Sequence, residues 1–392
     1  MNKRGFRNVL VRYYFYFIFF VAITTVLLMF KFDGTFEYEY SRHSAARVLK
    51  VGDMKSILVW TNPKIDPIYN LGKGMESFVR RKCPVFNCFV SSDRKFLGDV
   101  RNFDLVVFHA TEVSNAWISD FPEARSPHQK YVFASMESSD YYALCEKKFD
   151  DFFNWTWTYK LDSDEVYGYI AIKNKAGEVI GPKQVMHWEK IESMHPITDE
   201  IKARLATKKI AAAWFVSNCK ARNQRLEIAK ELEHELIQYN LALDIYGSCG
   251  TKSCSFYKMD ECRGVIERDY YFYLSFENSF SEDYVTEKLL SALKHYAVPV
   301  VYGGANYTRF MPDGIYLDAR KQTAKEIAKQ MAEAINNKEV YHDYFKWHNH
   351  YSYHHVEEFP QTDGYCNLCA LANNKERFSR TFSHKDFTTW WN

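Results

Sequence analysis

Short apolar runs that alternate with helix-like segments are the feature that most restricts the fold of this chain. In the second half, five runs are predicted to be strands, at 210–217, 243–246, 271–276, 298–302 and 315–317. Helices are predicted between them or after them, at 226–237, 284–296 and 322–336, because apolar residues there recur at helical spacing. Strands separated by helices imply βαβ units and therefore parallel sheets.

The first half contains similar strand-like runs, and the two halves are separated by a charged segment. Three buried strands are predicted, at 56–61, 104–109 and 130–135. A charged linker at 190–208 divides a chain of 392 residues, which is long enough for two domains. We therefore predict an α/β fold with two Rossmann-like parallel-sheet domains that face a cleft. Since ligands bind at the carboxyl ends of parallel strands, the loops after Ser217 and Phe276 are predicted to share one site.

An uncharged run of 18 residues, 13–30, predicts one N-terminal transmembrane helix. Lys3, Arg4, Arg7 and Arg12 precede it, so the positive-inside rule places residues 1–12 in the cytosol. A cleaved signal peptide is the alternative, but no small-x-small cleavage pattern follows the run. We expect a signal-anchor at 13–30, a stem at 31–54, and the remainder of the chain in the lumen.

The cysteines and two sequons agree with a luminal compartment. Nine cysteines in such a chain predict several disulfides with one thiol left over. The Cys366-x-x-Cys369 pair is predicted to be structural, because a second such pair and histidines at zinc-binding spacing are both missing from the sequence. Asn154 and Asn306 begin N-glycosylation sequons.

The segment 276–288 is the richest in candidate binding residues, since a polar loop there joins a strand to a helix. Lys288 is predicted to neutralise phosphate, while Asn278 and Glu287 are predicted to hydrogen-bond hydroxyls. This arrangement suits a sugar nucleotide. The absence of a GxGxxG fingerprint argues against a dinucleotide oxidoreductase, and a net charge of +2 without a basic stripe argues against nucleic-acid binding.

The diphosphate of such a ligand needs a counter-charge. Asp162-Ser-Asp164 is similar to the Asp-x-Asp of metal-dependent glycosyltransferases, but short acidic patterns are common and a solvated loop is the favoured interpretation. Without a metal, cations must serve, and Arg222, Arg225 and Lys288 are the candidates, each on a loop or in a first helical turn.

Several motifs together resemble the α1,3-fucosyltransferases of glycosyltransferase family 10. The resemblance covers roughly 300 residues, from about 56 to 369, and Cys83-Pro-Val-Phe-Asn-Cys88 is closest to the invertebrate and plant core-type branch. The motifs are Phe276-Glu-Asn-Ser279, Asp283-Tyr-Val-Thr-Glu-Lys288, Ser135-Met-Glu-Ser138, Tyr159-Lys-Leu-Asp-Ser-Asp164, Trp214-Phe-Val-Ser-Asn218, Asp244-Ile-Tyr-Gly247 and Cys366-x-x-Cys369.

The resemblance implies a GT-B-like fold and an inverting transfer of L-fucose from GDP-β-L-fucose to a GlcNAc hydroxyl of a glycan. An acceptor-binding domain is expected at 55–205, a GDP-fucose-binding domain at 206–350, and a C-terminal tail at 351–392. The family's general base corresponds to Glu137, which follows the predicted strand 130–135.

The donor site is carried over in the same way. Arg225, with Arg222 as its alternative, and Lys288 match the diphosphate-binding cations. The donor-binding set implied by the resemblance is Val216, Ser217, Asn218, Arg225, Tyr246, Tyr273, Asn278, Tyr284, Glu287 and Lys288. The resemblance implies no metal site and no obligatory cofactor, with Mn or Mg at most stimulating activity.

The resemblance implies a location in the Golgi membrane (Golgi cisterna), as a single-pass type II protein with a luminal catalytic domain. Its expected partners are GDP-fucose, an N-glycan or another GlcNAc-containing glycan, and the membrane. A non-catalytic luminal glycan-binding protein with the same fold is the alternative, and a metal-dependent GT-A transferase is the third. The acceptor, Lewis-type antenna or N-glycan core, stays open, and the aromatic segment 378–392 receives no role.

Overall fold

The computed structural model describes residues 54–65, 68–115, 121–254 and 259–392. The predicted cytosolic tail and signal-anchor, and the stem up to residue 53, lie outside the described residues. Within the described ranges, no helix combines the length and apolar character needed to cross a membrane.

The first half of the described chain forms a six-stranded sheet in which every neighbouring pair is parallel. Its strand order is β2-β1-β3-β4-β5-β6. The strands are β1 (Lys55–Val59), β2 (Cys88–Ser91), β3 (Leu105–His109), β4 (Lys130–Ser135), β5 (Trp155–Thr158) and β6 (Glu165–Val166). A hairpin of β7 (Ile170–Asn174) and β8 (Val179–Gly181) follows. The near-continuous burial of β3 and β4 agrees with a parallel sheet that is covered on both faces.

The second half forms a five-stranded parallel sheet with the order β10-β9-β11-β12-β13. The strands are β9 (Ile210–Phe215), β10 (Leu243–Tyr246), β11 (Tyr270–Phe276), β12 (Val298–Tyr302) and β13 (Leu317–Asp318). One further strand, β14 (Tyr351–His355), pairs antiparallel with β7, so that a three-stranded sheet joins segments from distant parts of the chain. The prediction of an α/β fold built on parallel sheets is confirmed.

Helices connect and cover these strands. The α-helices are α1 (Ile68–Leu71), α2 (Glu76–Arg80), α3 (Ala110–Val113), α4 (Asp199–Leu205), α5 (Arg225–Ile237), α6 (Met259–Asp269), α7 (Glu287–Lys294), α8 (Ala324–Asn336), α9 (Lys338–Asp343), α10 (Gly364–Asn373), α11 (Lys375–Ser379) and α12 (Phe387–Trp391). Short 3-10 turns lie at Val100–Asn102, Lys147–Phe149, Ile191–Ser193, Tyr307–Arg309, Lys346–Asn349 and Val356–Glu358.

Two local predictions were wrong. The predicted helix from Tyr284 begins at Glu287 instead, because Asp283 has a left-handed backbone with φ of 58° and Thr286 is extended. The segment 190–208 is not simply a linker, since it contains α4, whose first turn is capped by the Thr198 hydroxyl.

The segment after residue 350 is integrated into the fold rather than forming a separate tail. Residues 54–392 form one compact unit, to which this segment contributes β14 and three helices. The Cys88–Cys369 disulfide ties α10 to β2 of the first sheet, and Cys83–Cys366 ties it to the segment before β2. Closing loops this long stabilises the native state by restricting the unfolded chain. Phe387 and Trp391 are fully buried against Phe133 of β4.

The prediction of several disulfides with one thiol left over is confirmed, but the spacing of the cysteines did not predict which of them pair. Cys366 and Cys369 are both structural, but each pairs with a distant cysteine instead of with the other. Cys219–Cys249 and Cys254–Cys262 complete four disulfides in the described residues, where Cys145 is an exposed free thiol.

Candidate active site

A cavity of about 270 Å³ opens at the carboxyl edge of the second sheet. Seven residues of the predicted donor set line it, namely Val216, Ser217, Arg225, Tyr246, Tyr273, Glu287 and Lys288. They come from the ends of β9 and β10, from β11, and from the first turns of α5 and α7. Parallel topology explains the convergence, because all carboxyl ends of the strands meet at one edge.

Arg225 is the first residue of α5 and is held in place by backbone carbonyls. Its guanidinium donates to the Phe276 oxygen at 2.7 Å and to the Asn218 oxygen at 3.2 Å. Its Nε has no hydrogen-bond partner within the described part of the chain. Burial lowers the pKa of Arg225, while the nearby Glu277 carboxylate opposes that shift. The result is a fixed, buried cation at a helix N-terminus beside the cavity.

Lys288, in the first turn of α7, is surrounded by acceptors. Its Nζ lies 2.7 Å from Thr286 Oγ1, 3.2 Å from Glu277 Oε2 and 3.2 Å from Glu287 Oε1. Burial disfavours the ammonium, but the carboxylates of Glu277 and Glu287 outweigh it and raise the pKa of Lys288. Lys288 is therefore held charged at the cavity wall.

Glu277 is the buried counter-charge in this group. It is 1% exposed, and its carboxylate accepts from the Thr286 backbone N–H at 2.8 Å and from the Thr286 hydroxyl. Burial raises the pKa of Glu277. Glu287 differs from it, since 47% of its side chain is exposed. Only Glu287 of these two carboxylates lines the cavity.

An aromatic wall forms another side of the cavity. The rings of Phe215 and Tyr246 stack with centroids 4.4 Å apart and planes 4° apart, and Tyr273 lies beside Phe215. The Tyr246 and Tyr270 hydroxyls lie 2.8 Å apart. Gly247 has a φ of 96°, and a Cβ there would collide with the Val216 carbonyl. A glycine at this turn thus lets two backbone segments meet next to the wall.

Three other predicted donor residues do not line the cavity. The exposed Asn218 uses its backbone oxygen to hold Arg225, and its side chain accepts from the Lys220 backbone N–H at 3.1 Å. Asn278 accepts from the Ser279 hydroxyl at 3.2 Å. Tyr284 is 2% exposed, and its hydroxyl donates to Glu137 Oε2 at 3.1 Å. Tyr284 therefore connects the loop before α7 to the loop after β4.

Buried serines connect the same two loops. Ser279 Oγ lies 2.6 Å from Ser138 Oγ, and Ser281 Oγ lies 3.1 Å from it. Ser139 Oγ donates to Ser281 Oγ at 3.2 Å. Because these groups satisfy one another at the junction of the two sheets, the carboxyl edges of both sheets are held at one site.

The alternative cation, Arg222, faces this junction and not the cavity. It is exposed, donates to the Asp140 carbonyl oxygen, and lies 4.7 Å from the centre of the Tyr141 ring. Between the two arginines considered for the diphosphate, the geometry favours Arg225.

Glu137 is half-buried directly after β4. The Ser135 hydroxyl donates to its backbone oxygen at 2.7 Å, and the Tyr169 hydroxyl donates to the Met136 oxygen at 2.8 Å. Burial raises the pKa of Tyr284, and the carboxylates of Glu137, Glu277 and Glu287 add to that shift. The Glu137 carboxylate therefore lies beside the Tyr284 hydroxyl, between the loop after β4 and the loop before α7.

In Asp162-Ser-Asp164 the exposed Asp162 agrees with the predicted solvated loop, whereas Asp164 is half-buried and engaged by other side chains. Asp164 accepts from Arg377 at 2.9 Å and from the Thr156 N–H at 3.0 Å, and it lies 2.9 Å from His384 Nε2. Asp162 accepts from the Trp390 indole N–H at 3.0 Å. Both carboxylates therefore bind the C-terminal segment.

The two sequon asparagines are placed differently. Asn306 is exposed, and its side chain accepts from the Thr308 hydroxyl at 2.8 Å. Asn154 is 7% exposed, and its amide donates to the Phe382 oxygen at 2.8 Å while accepting from the Tyr131 N–H. A glycan on Asn154 would have to displace these contacts, so its placement counts against that predicted site.

Sequence reasoning missed several residues that line the cavity or balance its charge. Arg263 of α6 and Ser291 of α7 line the cavity, and Glu277 balances the charge of Lys288. Glu277 lies inside the segment 276–288, which is the richest in candidate binding residues, so a carboxylate that balances Lys288 could have been predicted. Arg263 comes from a helix that the apolar pattern did not reveal, and only the tertiary structure brings it to the cavity.

The structure is that of an α/β protein in which the carboxyl edges of two parallel sheets meet at one site. A cationic and aromatic cavity lies on one side of this site, and the Glu137 carboxylate lies on the other. Such a cavity suits an anionic ligand. Comparison with known proteins identifies the family. The sequence profile "Fucosyltransferase, N-terminal" matches residues 52–170, and "Glycosyltransferase family 10 (fucosyltransferase) C-term" matches residues 205–390.

Relatives agree with these matches. The chain is 36% identical over 318 residues to Alpha-(1,3)-fucosyltransferase C of Drosophila melanogaster, covering 79% of this chain and 70% of the relative. It is 30% identical over 361 residues to Glycoprotein 3-alpha-L-fucosyltransferase A of the same organism, covering 90% of this chain and 63% of that protein. A crystal structure of alpha1,3-fucosyltransferase with GDP-fucose aligns over 85% of this chain and 93% of its own, at 14% identity and a TM-score of 0.49. The chain belongs to glycosyltransferase family 10, the fucosyltransferases, and is a glycosyltransferase.

Proposed function

We propose that the protein is an inverting α1,3-fucosyltransferase that moves L-fucose from GDP-β-L-fucose to a GlcNAc hydroxyl of a glycan. The names of its relatives support the linkage and the sugar. The observation that carries the proposal is the 3.1 Å hydrogen bond from Tyr284 to Glu137, because it holds a carboxylate that follows a strand of one sheet against the loop that leads into α7, whose first turn lines the cavity. In this proposal the two sheets belong to the GT-B-like domains expected at 55–205 and 206–350.

The donor diphosphate lies, in this proposal, between the first turns of α5 and α7. Arg225 and Lys288 supply positive charge there, and both are held by neighbouring groups before any ligand binds. Arg263 adds a third cation to the cavity lining. Preorganised cations stabilise the charge that develops on departing GDP and need little reorganisation during the reaction. Tyr246 and Tyr273 offer ring surfaces to the nucleotide, and Glu287, at the exposed edge, accepts hydrogen bonds from sugar hydroxyls.

Glu137 acts as the general base in the transfer. The acceptor oxygen forms a bond to C1 of fucose while the bond from C1 to the β-phosphate oxygen breaks, and GDP leaves with that electron pair. The proton of the acceptor hydroxyl passes to the Glu137 carboxylate. The single displacement converts the β-linked donor into an α-linked product. The Tyr284 hydroxyl orients the carboxylate during this step.

The cellular setting and cofactor use are further parts of the proposal. We propose a Golgi type II orientation with residues 13–30 as the anchor, testable by protease protection of an epitope placed after residue 392 in intact vesicles. Protection without detergent and digestion with it are expected, whereas digestion in both would contradict the orientation. No metal is required, so activity should survive excess chelator, with Mn or Mg at most stimulating it.

The decisive experiment is transfer of radiolabelled fucose from GDP-fucose to a glycan panel that contains Lewis-type antennae and chitobiose cores. We expect incorporation into at least one acceptor, and the preferred acceptor will separate the two classes that the sequence left open.

Glu137→Gln should lower kcat by about 10²-fold or more while GDP binding is kept. A protein that binds glycan or nucleotide without forming product would instead be the non-catalytic glycan-binding protein.

A further inference from the structure

The loop that carries Glu137 is held at three places. We call residues 137–144, directly after β4, the base loop. At its start, Glu137 accepts from Tyr284 at 3.1 Å. In its middle, Ser138 and Ser139 bind serines of residues 277–286, the loop between β11 and α7, which we call the donor loop. Further along, Arg222 contacts Asp140 and Tyr141. The far end of the loop, at residues 142 and 144, is held by a different segment.

That segment is the end of α12. The Trp391 indole N–H donates to the Tyr142 carbonyl oxygen at 2.8 Å. The Asn392 side chain accepts from the Leu144 N–H at 2.9 Å and donates to the Leu144 oxygen at 2.8 Å. Three hydrogen bonds from two adjacent residues thus fix the backbone at 142 and 144. The base loop is thereby closed at both ends.

A second connection runs through aromatic rings. The Trp391 ring centroid lies 5.9 Å from that of Tyr159, which meets Tyr284 edge to face at 5.0 Å. Tyr284 donates to Glu137, and the Tyr159 hydroxyl accepts from the Ser139 N–H at 2.9 Å. Trp391 therefore supports both the ring behind the Tyr284 hydroxyl and the backbone beyond the base.

We propose that Trp391 and Asn392 are positioning residues for Glu137, so that the C-terminal segment is part of the catalytic apparatus. This inference rests on the proposed role of Glu137 as the base. A base loses efficiency steeply when it is displaced from its proton by a fraction of an ångström to an ångström. The aromatic segment 378–392, which the sequence left without a role, receives one here.

Core packing alone would also bury Trp391, so Asn392 is the sharper probe. The residue is exposed, and its described contacts with the base loop are the two hydrogen bonds to Leu144. Asn392→Ala removes both bonds while leaving the buried core intact. Thr389→Ala is the matched control, because Thr389 is an exposed residue of α12, the helix that Asn392 follows. Trp391→Phe keeps a ring in the core but loses the bond to Tyr142.

The test measures kcat, KM for the donor, GDP affinity and melting temperature in the full chain. For Asn392→Ala and Trp391→Phe we expect kcat to fall about tenfold with GDP affinity unchanged. Asn392→Ala should keep the wild-type melting temperature, and Thr389→Ala should resemble wild type throughout. Wild-type kcat in Asn392→Ala would overturn the proposal.

A double-mutant cycle shows whether the effect passes through Glu137. When the base is already removed by Glu137→Gln, the further change Asn392→Ala should lower the residual kcat less than twofold. An additive tenfold loss would overturn the proposal, because it would place the effect elsewhere. An inactive wild type would refute the proposed function, whereas an active wild type with a fully active Asn392→Ala variant would refute only this inference.

Discussion

The Tyr284 hydroxyl donates to Glu137 Oε2 at 3.1 Å although the two residues lie 147 positions apart in the sequence. One belongs to the loop before α7 and the other to the loop after β4. Buried serine contacts join the same two loops. This one bond places the candidate base beside the donor half of the site.

Tyr284→Phe should lower kcat about tenfold with little change in GDP affinity. The variant keeps the ring against Tyr159 but removes the only donor that orients Glu137 among the side-chain contacts of the described residues. Steady-state kinetics and GDP calorimetry measure the two effects. Tyr341→Phe is the control, since it removes another buried hydroxyl, bonded to the Tyr271 oxygen, far from the site. Equal kcat in both variants would contradict the role given to Tyr284.

Lys288→Met should lose both stability and GDP binding, for separate reasons. The free energy of unfolding should fall by about 3 kcal/mol because Glu277, 1% exposed, loses its counter-charge. GDP affinity should fall about 10²-fold because a charge-assisted phosphate contact is lost.

The double variant Lys288→Met/Glu277→Gln separates the two effects. Removing the buried carboxylate with its cation should recover most of the lost melting temperature without recovering GDP binding. Differential scanning fluorimetry and calorimetry with GDP are the measurements. Recovery of GDP binding in the double variant would show that Lys288 serves the structure and not the diphosphate.

The free energy of unfolding should fall as the pH is lowered below the ordinary pKa of histidine, because the buried His348 ring stays neutral in the folded protein. Burial, with help from Lys175 and Arg204, lowers the pKa of His348 to about 3, and its ring stacks on Trp347 and Tyr296. His348 binds a proton near pH 6.5 in the unfolded chain but only near pH 3 in the folded chain. The contribution of neutral His348 to the free energy of unfolding is therefore complete above pH 6.5 and is lost progressively as the pH falls toward 3.

His348→Phe isolates that contribution. Between pH 7 and pH 5, wild type should lose about 2 kcal/mol more unfolding free energy than the variant, in which the ring cannot be protonated. Denaturant unfolding at both pH values measures the difference. An identical pH dependence in the two proteins would mean that His348 is protonated in the folded state.

Of the two sequons, we predict a glycan at Asn306 only. When the chain is produced in a secretory pathway, Asn306→Gln should reduce its mass by one glycan, as read by mass spectrometry of the intact protein. Asn154→Gln should leave the glycan mass unchanged but lower the melting temperature, because the Asn154 amide bonds to the Tyr131 N–H and the Phe382 oxygen. A glycopeptide carrying a sugar on Asn154 would contradict this prediction.

Much of the fold was predictable because local patterns determine it. The strands at 130–135, 243–246 and 298–302 occur at the predicted bounds, and α5 begins one residue before its prediction. Apolar periodicity depends only on residues that are close in the sequence, so it predicts strands and helices without knowledge of the tertiary contacts. The start of α7 was missed because the left-handed Asp283 and extended Thr286 reflect packing of the donor loop and not helix propensity.

The site was predictable in part for a different reason. Val216, Arg225, Tyr246 and Lys288 converge because parallel strands share a carboxyl edge, which topology alone ensures. Arg263 reaches the cavity from a neighbouring helix, and Tyr284 turns away from the cavity toward Glu137. Both placements depend on packing between elements, which short-range patterns do not encode.

By itself, the sequence determined the α/β class, the parallel sheets, the disulfide-rich character and the family, since these follow from periodicity, cysteine number and contiguous motifs. The tertiary structure decided that Cys83 and Cys88 pair with Cys366 and Cys369, and that Trp391 and Asn392 hold the loop of Glu137. The physical reason is distance along the chain: contacts between residues more than a hundred positions apart form only when burial of the whole core brings them together.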